Sequence, residues 1–193
     1  MRRALLLSIS LFLAGELAQT CLAQEIRQID TKKSSITIRV FKSGLFSAFA
    51  HDHEIVAPIS EGHFSEVQPS VELKVRSREL RVMDREVSDK DRATIQSTML
   101  GPTVLDVEKF PEIKYRSTEI KRLTGDKWTI EGELTLHGQT RPVKVEVEGQ
   151  EGHYRGRAVI AQKEFGMEPV RVAGGTVRVK NEVQVEFEVA AEK

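Results

Sequence analysis

Lys127-Trp-Thr-Ile-Glu-Gly-Glu-Leu-Thr-Leu136, His137-Gly-Gln-Thr-Arg-Pro142 and Val143-Lys-Val-Glu-Val-Glu148 form one continuous stretch, and its reading decides the fold. Trp128, Ile130, Leu134 and Leu136 alternate with Thr129, Glu131, Glu133 and Thr135. Val143, Val145 and Val147 alternate with Lys144, Glu146 and Glu148. A period of two puts one set of side chains on each face of a strand. The intervening His137–Pro142 is built from turn residues, and Pro142 is expected to open a strand rather than sit inside one. The stretch therefore reads as an antiparallel hairpin with one wet and one dry face, and the dry face needs further strands to cover it.

Working outward, the same alternation recurs. Ile36, Ile38 and Val40 mark a first strand. Ile55, Ala57 and Ile59, continuing past a bend at Gly62 to Phe64, mark a second, and Val71, Leu73 and Val75 a third. Ile113, Tyr115 and Ser117 precede the hairpin; Tyr154, Gly156, Ala158 and Ile160 follow it. After a Gly174-Gly175 turn, Val177, Val179, Val183, Val185, Phe187 and Val189 fall on one parity, with Asn181 the polar exception that marks a bulge or a bend. Between the third and fourth strands the pattern changes. Ser88 with Asp91 three residues on is a helix N-cap signal, Ile95 and Met99 share a helical face, and Gly101-Pro102 stops the helix. Phe41 to Ala50 has neither period and reads as a bent segment or a short helix. The expectation is a mainly β, eight-stranded antiparallel barrel with a short helical excursion between strands 3 and 4, closure being the way such a sheet removes its edges.

The chain has 193 residues, with 29 basic and 29 acidic, interspersed. That length suits one domain with a real core, and the even mixture offers no basic field for nucleic acid. Residues 1–23 differ in kind. Arg2 and Arg3 lead an apolar run from Ala4 to Ala14, and Cys21-Leu22-Ala23 supplies small residues for cleavage before Gln24. This is the pattern of a secretory signal peptide, too short to span a bilayer. Ala18-Gln19-Thr20 lacks the Leu-small-small lead of a lipidated cysteine. The expected mature domain is therefore 24–193, periplasmic or extracellular, with no membrane anchor after cleavage and no cysteine. Its stability must come from packing rather than disulfides.

Four short motifs stand in order: Asp91-Arg92 before the helix, Phe110-Pro-Glu-Ile113, Gly132-Glu-Leu-Thr-Leu-His-Gly-Gln-Thr-Arg-Pro-Val143 and Phe165-Gly166. Together they resemble the YceI-like family of secreted, lipocalin-like proteins, whose signature is close to Gly-x-Leu-Thr-(apolar)-(polar)-Gly-x-Thr-(basic)-x-Val. The resemblance runs from about Gln28 to the C-terminus. It implies an eight-stranded barrel with a helix beside the mouth, a long apolar pocket for a polyisoprenoid or similar amphiphile, and no catalysis. His51-Asp52-His53 departs from the single His or Arg expected there.

Candidate pocket residues are Phe46, Phe49, Phe64, Leu100, Tyr115, Trp128, Phe165 and Phe187, with His51, His53 and His137 as head-group contacts. Ordinary core packing is the competing reading for the aromatic residues. His51 and His53, two apart on a strand, point to one face and so also raise a metal site, with His63 in the same reach of chain. A filled barrel serving as an interaction module is the third reading. No Gly-x-Ser-x-Gly elbow, P-loop or dinucleotide fingerprint occurs. The expected function is a non-enzymatic carrier with no cofactor, whose partner is an isoprenoid or fatty-acyl lipid, and which leaves homodimer formation open.

Overall fold

The hairpin forms as the alternation dictates. β8 (Lys127–Leu136) pairs with β9 (Gln139–Gln150), from Lys127 opposite Glu148 to Leu136 opposite Gln139. The turn is only His137-Gly138, with φ of 49° and 71°. Both values are positive, the backbone of the tight turns that match strand twist. Pro142 corrects the expectation: it lies inside β9, opposite Glu133. It is tolerated because the next strand, β10 (His153–Ala161), pairs with β9 only from Glu146 to Gln150. At Pro142 one side of β9 therefore asks for no N–H.

The computed structural model describes residues 26–43, 52–172 and 177–192. The signal reading of 1–23, Phe46, Phe49, His51 and the Gly174-Gly175 turn lie outside the described residues. The remaining strands are β1 (Ile26–Gln28), β2 (Ser35–Ser43), β3 (His53–Val56), β4 (Ile59–Ser65), β5 (Ser70–Arg76), β6 (Arg81–Val82), β7 (Glu112–Arg122), β11 (Arg171–Val172) and β12 (Val177–Ala190). Neighbours run β1-β4-β5-β7-β8-β9-β10-β12-β2-β3-β6, with β11 beside β12, and every pairing is antiparallel.

The result is a mainly β antiparallel half-barrel with one short helix. Two features of the expected regular eight-stranded barrel are corrected. Among the described residues eleven strands lie on the hydrogen-bonded path and a twelfth beside it, and the path is open, ending at β1 and β6. The second expected strand breaks at Ala57-Pro58: its first part pairs with β2 and β6, its second with β1 and β5. A chain that changes partners at a proline folds the sheet back on itself without continuing one ladder. β1, β6 and β11 are two or three residues long, too short for a period of two to show.

α1 (Asp89–Leu100) follows β6 and precedes β7, so it sits later in strand order than expected. Its cap is as read: Ser88 Oγ accepts from Asp91 N at 3.1 Å and donates to the Asp91 carboxylate at 2.7 Å. Gln96 ties the helix to the sheet, donating to Leu80 O and accepting from Val82 N, both at 2.8 Å. The register of β12 on β2 slips between Val179 and Val183, which places Asn181 in a bulge as its polar character implied. The amide groups of the short 3-10 turn Gln162–Phe165 fill it. Gln162 Nε2 donates to Lys180 O, and Lys163 N donates to Asn181 Oδ1, each at 2.9 Å.

Candidate functional site

The inward parity of every long strand faces one cavity of about 770 Å³, within the range of small-molecule sites. Ile38 on β2, Leu73 on β5, Ile130 on β8, Val145 on β9 and Val185 on β12 exemplify its wall. Three inward glycines let large neighbours lie flat. A Cβ on Gly132 would sit 2.5 Å from the Tyr115 ring, one on Gly156 2.5 Å from the Phe187 ring, and one on Gly62 2.7 Å from Ile29 Cδ1. Cross-strand space left by a missing side chain is thus filled by an aromatic ring or an isoleucine, and the sheet can curl.

One end of the cavity lies at the β4–β5, β7–β8 and β9–β10 turns. Glu66 lines it and binds two groups through one oxygen: the Tyr154 hydroxyl donates at 2.9 Å and Arg27 Nη1 at 3.2 Å. Arg27 also stands 5.7 Å over the Phe64 ring, whose edge meets Tyr154 at 5.6 Å. Trp128 donates from Nε1 to Gly149 O at 3.2 Å. Burial first, then the hydrogen bond to Glu66, pushes the Tyr154 phenol up to about 12. Deeper in, the Tyr115 hydroxyl is buried with no hydrogen-bond partner among the described residues. Burial, with the Glu131 charge second, raises its pKa well above the ordinary phenol range.

The opposite end lies beside α1 and mixes polar groups with apolar ones such as Ile95 and Met99. Asp91, Thr94 and Thr98, spaced by three and four, line it along one helical face, with Ser88 at the cap. Across the opening His53 lines the cavity, and its Nδ1 is 2.6 Å from Asp84 Oδ2. Asp84 is buried; its other oxygen accepts from Glu54 N at 2.8 Å, and its carbonyl accepts from Arg92 Nη1 at 2.7 Å. The carboxylate therefore orients the imidazole, leaving Nε2 as the ring's remaining hydrogen-bonding atom.

Of the residues expected from sequence, Phe64, Tyr115, Trp128, Phe187 and His53 line the cavity. Leu100 and Phe165 pack instead into the core behind the wall, and Phe165 is 1% exposed. His137 belongs to the β8–β9 turn. Its Nδ1 meets Phe165 O at 3.1 Å and its ring lies 4.6 Å from Phe110. Its job there is to hold the turn. Among the described residues no group of three or more His, Cys, Asp or Glu could hold a metal ion. Sequence reasoning missed Asp84, Glu66 and the hydroxyl row of α1. Tyr154 was placed on the inward parity, which was the available signal for it; Asp84 sits between Met83 and Arg85 with no periodic context.

A family model described as the YceI-like domain matches residues 28–191. A UPF0312 protein of Vibrio cholerae is 26% identical over 114 residues, 54% of this chain and 59% of that protein. A UPF0312 protein of Yersinia pestis is 40% identical over 58 residues, so the match spans 30% of each chain. Among solved structures, Burkholderia cenocepacia BcnA aligns with a TM-score of 0.67 at 19% identity, covering 85% of this chain and 99% of that one. A Campylobacter jejuni YceI protein aligns at 0.51 and 12% identity, covering 72% and 81%. At such identities the likeness is one of fold.

Proposed function

The chain belongs to the YceI-like domain family, and from that premise we propose that it is a non-enzymatic binding protein that holds a polyisoprenoid or other long-chain amphipathic lipid. The supporting observation is the cavity of about 770 Å³, apolar along its wall, with polar groups set among apolar ones at the end beside α1. A lipid tail in water costs about 0.8 kcal/mol per CH₂, and an apolar cavity removes that cost. His53, held by Asp84, and the Ser88-Asp91-Thr94-Thr98 row are the groups we assign to the head group. In this reading residues 1–23 direct the protein out of the cytoplasm, and the lipid is taken up there.

Native mass spectrometry on protein purified from the periplasm tests this. An added mass of several hundred daltons, on the order of a lipid that such a pocket accepts, and extractable into organic solvent, is the expected result. Protein that carries no lipid, and after delipidation takes up no fluorescent isoprenoid, would overturn the proposal. Phe46→Asp and Phe49→Asp are expected to lose retention with the fold intact; retention in both would remove that segment from the site.

A further inference from the structure

The outer face of the sheet is laced with cross-strand ion pairs. Arg39 meets Glu186 and Glu54, Arg157 meets Glu146, Arg116 meets Glu72, and Lys74 meets Glu61. Opposed like charges elsewhere have a counter-charge beside them: Lys74, opposite Lys114, pairs with Glu61, Lys114 pairs with Glu112, and Glu119, opposite Glu131, pairs with Lys121. Arg171 on β11 lies directly opposite Arg178 on β12. Like charges in directly opposed positions repel, and among the described residues no carboxylate pairs with either arginine. Both line a second pocket, of about 360 Å³, beside the β12 bulge. Lys163 and Lys180 line it too, with Glu182 the lone acid of the wall among the described residues. Lys180 stands 5.7 Å over the Phe41 ring, and Lys163 Nζ reaches Glu168 only at 3.8 Å. Asn181 spends its amide oxygen on Lys163 N, which leaves its Nδ2 hydrogens as donors at the same wall.

We propose that this pocket binds a phosphate-class dianion, gripped by Arg171 and Arg178 and supported by Lys163, Lys180 and Asn181. Two guanidinium forks supply the paired donors that a tetrahedral oxyanion takes up, and a dianion removes the repulsion that the β11–β12 pairing otherwise carries. The bulge is what makes the site. By inserting extra residues between Val179 and Val183 it gathers Lys180, Asn181 and the Lys163 turn on one side of the strand. Arg178 also lines the main cavity. The oxyanion is therefore either a free phosphate or the phosphate part of the head group of an amphiphile whose tail lies in the cavity, held here in addition to the His53 and α1 contacts; only the second source rests on the lipid reading above.

The test uses the mature protein and its Arg171→Gln/Arg178→Gln variant. Thermal melting with inorganic phosphate, at ionic strength held constant with chloride, is expected to show a saturable rise in Tm for the wild type and none for the variant. Without phosphate the variant melts no lower than the wild type, because a repulsive pair has been removed. Dodecyl phosphate is then compared with dodecanol in a displacement assay. If the oxyanion is a head group, dodecyl phosphate binds roughly tenfold to a hundredfold tighter, as charge-assisted hydrogen bonds imply, and the variant loses the preference. A saturable phosphate response without that preference assigns the site to a free anion. Phosphate no better than chloride, with no preference between the two amphiphiles, overturns the proposal. Failure of both amphiphiles to bind would count against the lipid reading alone, since the phosphate melt still decides the anion site.

Discussion

The two ends of the cavity are held by different forces. At the turn end, backbone ladders continue to the rim: Ile29 bridges to Ala191, Glu192 N donates to Gln28 O at 2.8 Å, and Ile29 is 2% exposed over Gly62. At the helix end the only buried residue of α1 is Met99, and the face that lines the cavity mixes Ile95 and Met99 with the Asp91 carboxylate and the Thr94 and Thr98 hydroxyls. Backbone ladders and the buried Ile29 fix the first end; at the second, polar contacts through Asp84, Gln96 and Ser88 act beside the packing of Met99 against the core. Local opening favours regions with few buried apolar contacts, so α1, with Met99 its one buried residue, is expected to open more readily than the turn end, which keeps the sheet in register.

Substitutions at the two ends sharpen or break this contrast. The largest loss is expected from Ile29→Ala, about 2–5 kcal/mol by urea denaturation, because it empties the contact over Gly62. A loss no greater than those at the helix end would erase the distinction. Asp84→Ala comes next, at about 1–3 kcal/mol, because it strands the Glu54 N–H and frees His53. On the lipid reading proposed above, it should also weaken retention, which Ile29→Ala should not do in the folded protein. Ser88→Ala removes the cap of α1 and should cost about 1 kcal/mol. Amide exchange is expected to accelerate in α1 with β8 and β9 unchanged; acceleration throughout would mean that both ends open as one unit.

The smallest effect belongs to Tyr154. Its phenol lies near 10.0 when unfolded and is pushed up to about 12 in the fold. The group is neutral in both states below pH 10, so its contribution is intact there and fades as pH climbs through 12. Alkaline weakening over that window should shrink in Tyr154→Phe, and an identical pH profile would remove Glu66–Tyr154 from the turn-end network.

Much of this was legible because β-sheet parity is a strong local signal. The wall residues on β2, β5, β8, β9, β10 and β12 are the alternating apolar positions, and Asn181 announced its bulge by being polar on an apolar parity. Parity says which face a side chain takes and nothing about depth. Tyr115 and Phe165 both looked like wall, yet only Tyr115 reaches the cavity. His137 was read as a ligand contact because a histidine in a turn is ambiguous in sequence; its positive φ and its bond to Phe165 O make it a turn residue. The Pro58 corner and the Asp84–His53 contact arise from pairing between residues far apart in the chain. No window of neighbouring residues carries that information.

The pairing of β12 with β2 also sets an order in time. β7 to β10 meet their neighbours through tight turns, so this meander can assemble from local contacts alone. Val185 must then find Ile38, and Ala191 must find Ile29, across almost the whole chain. Loop closure of that length is the slow step of such topologies. Until the last strand docks, β2 and β10 present open edges while the inner wall lies bare, so a chaperone that shields those edges would act before β12 arrives and become redundant afterwards.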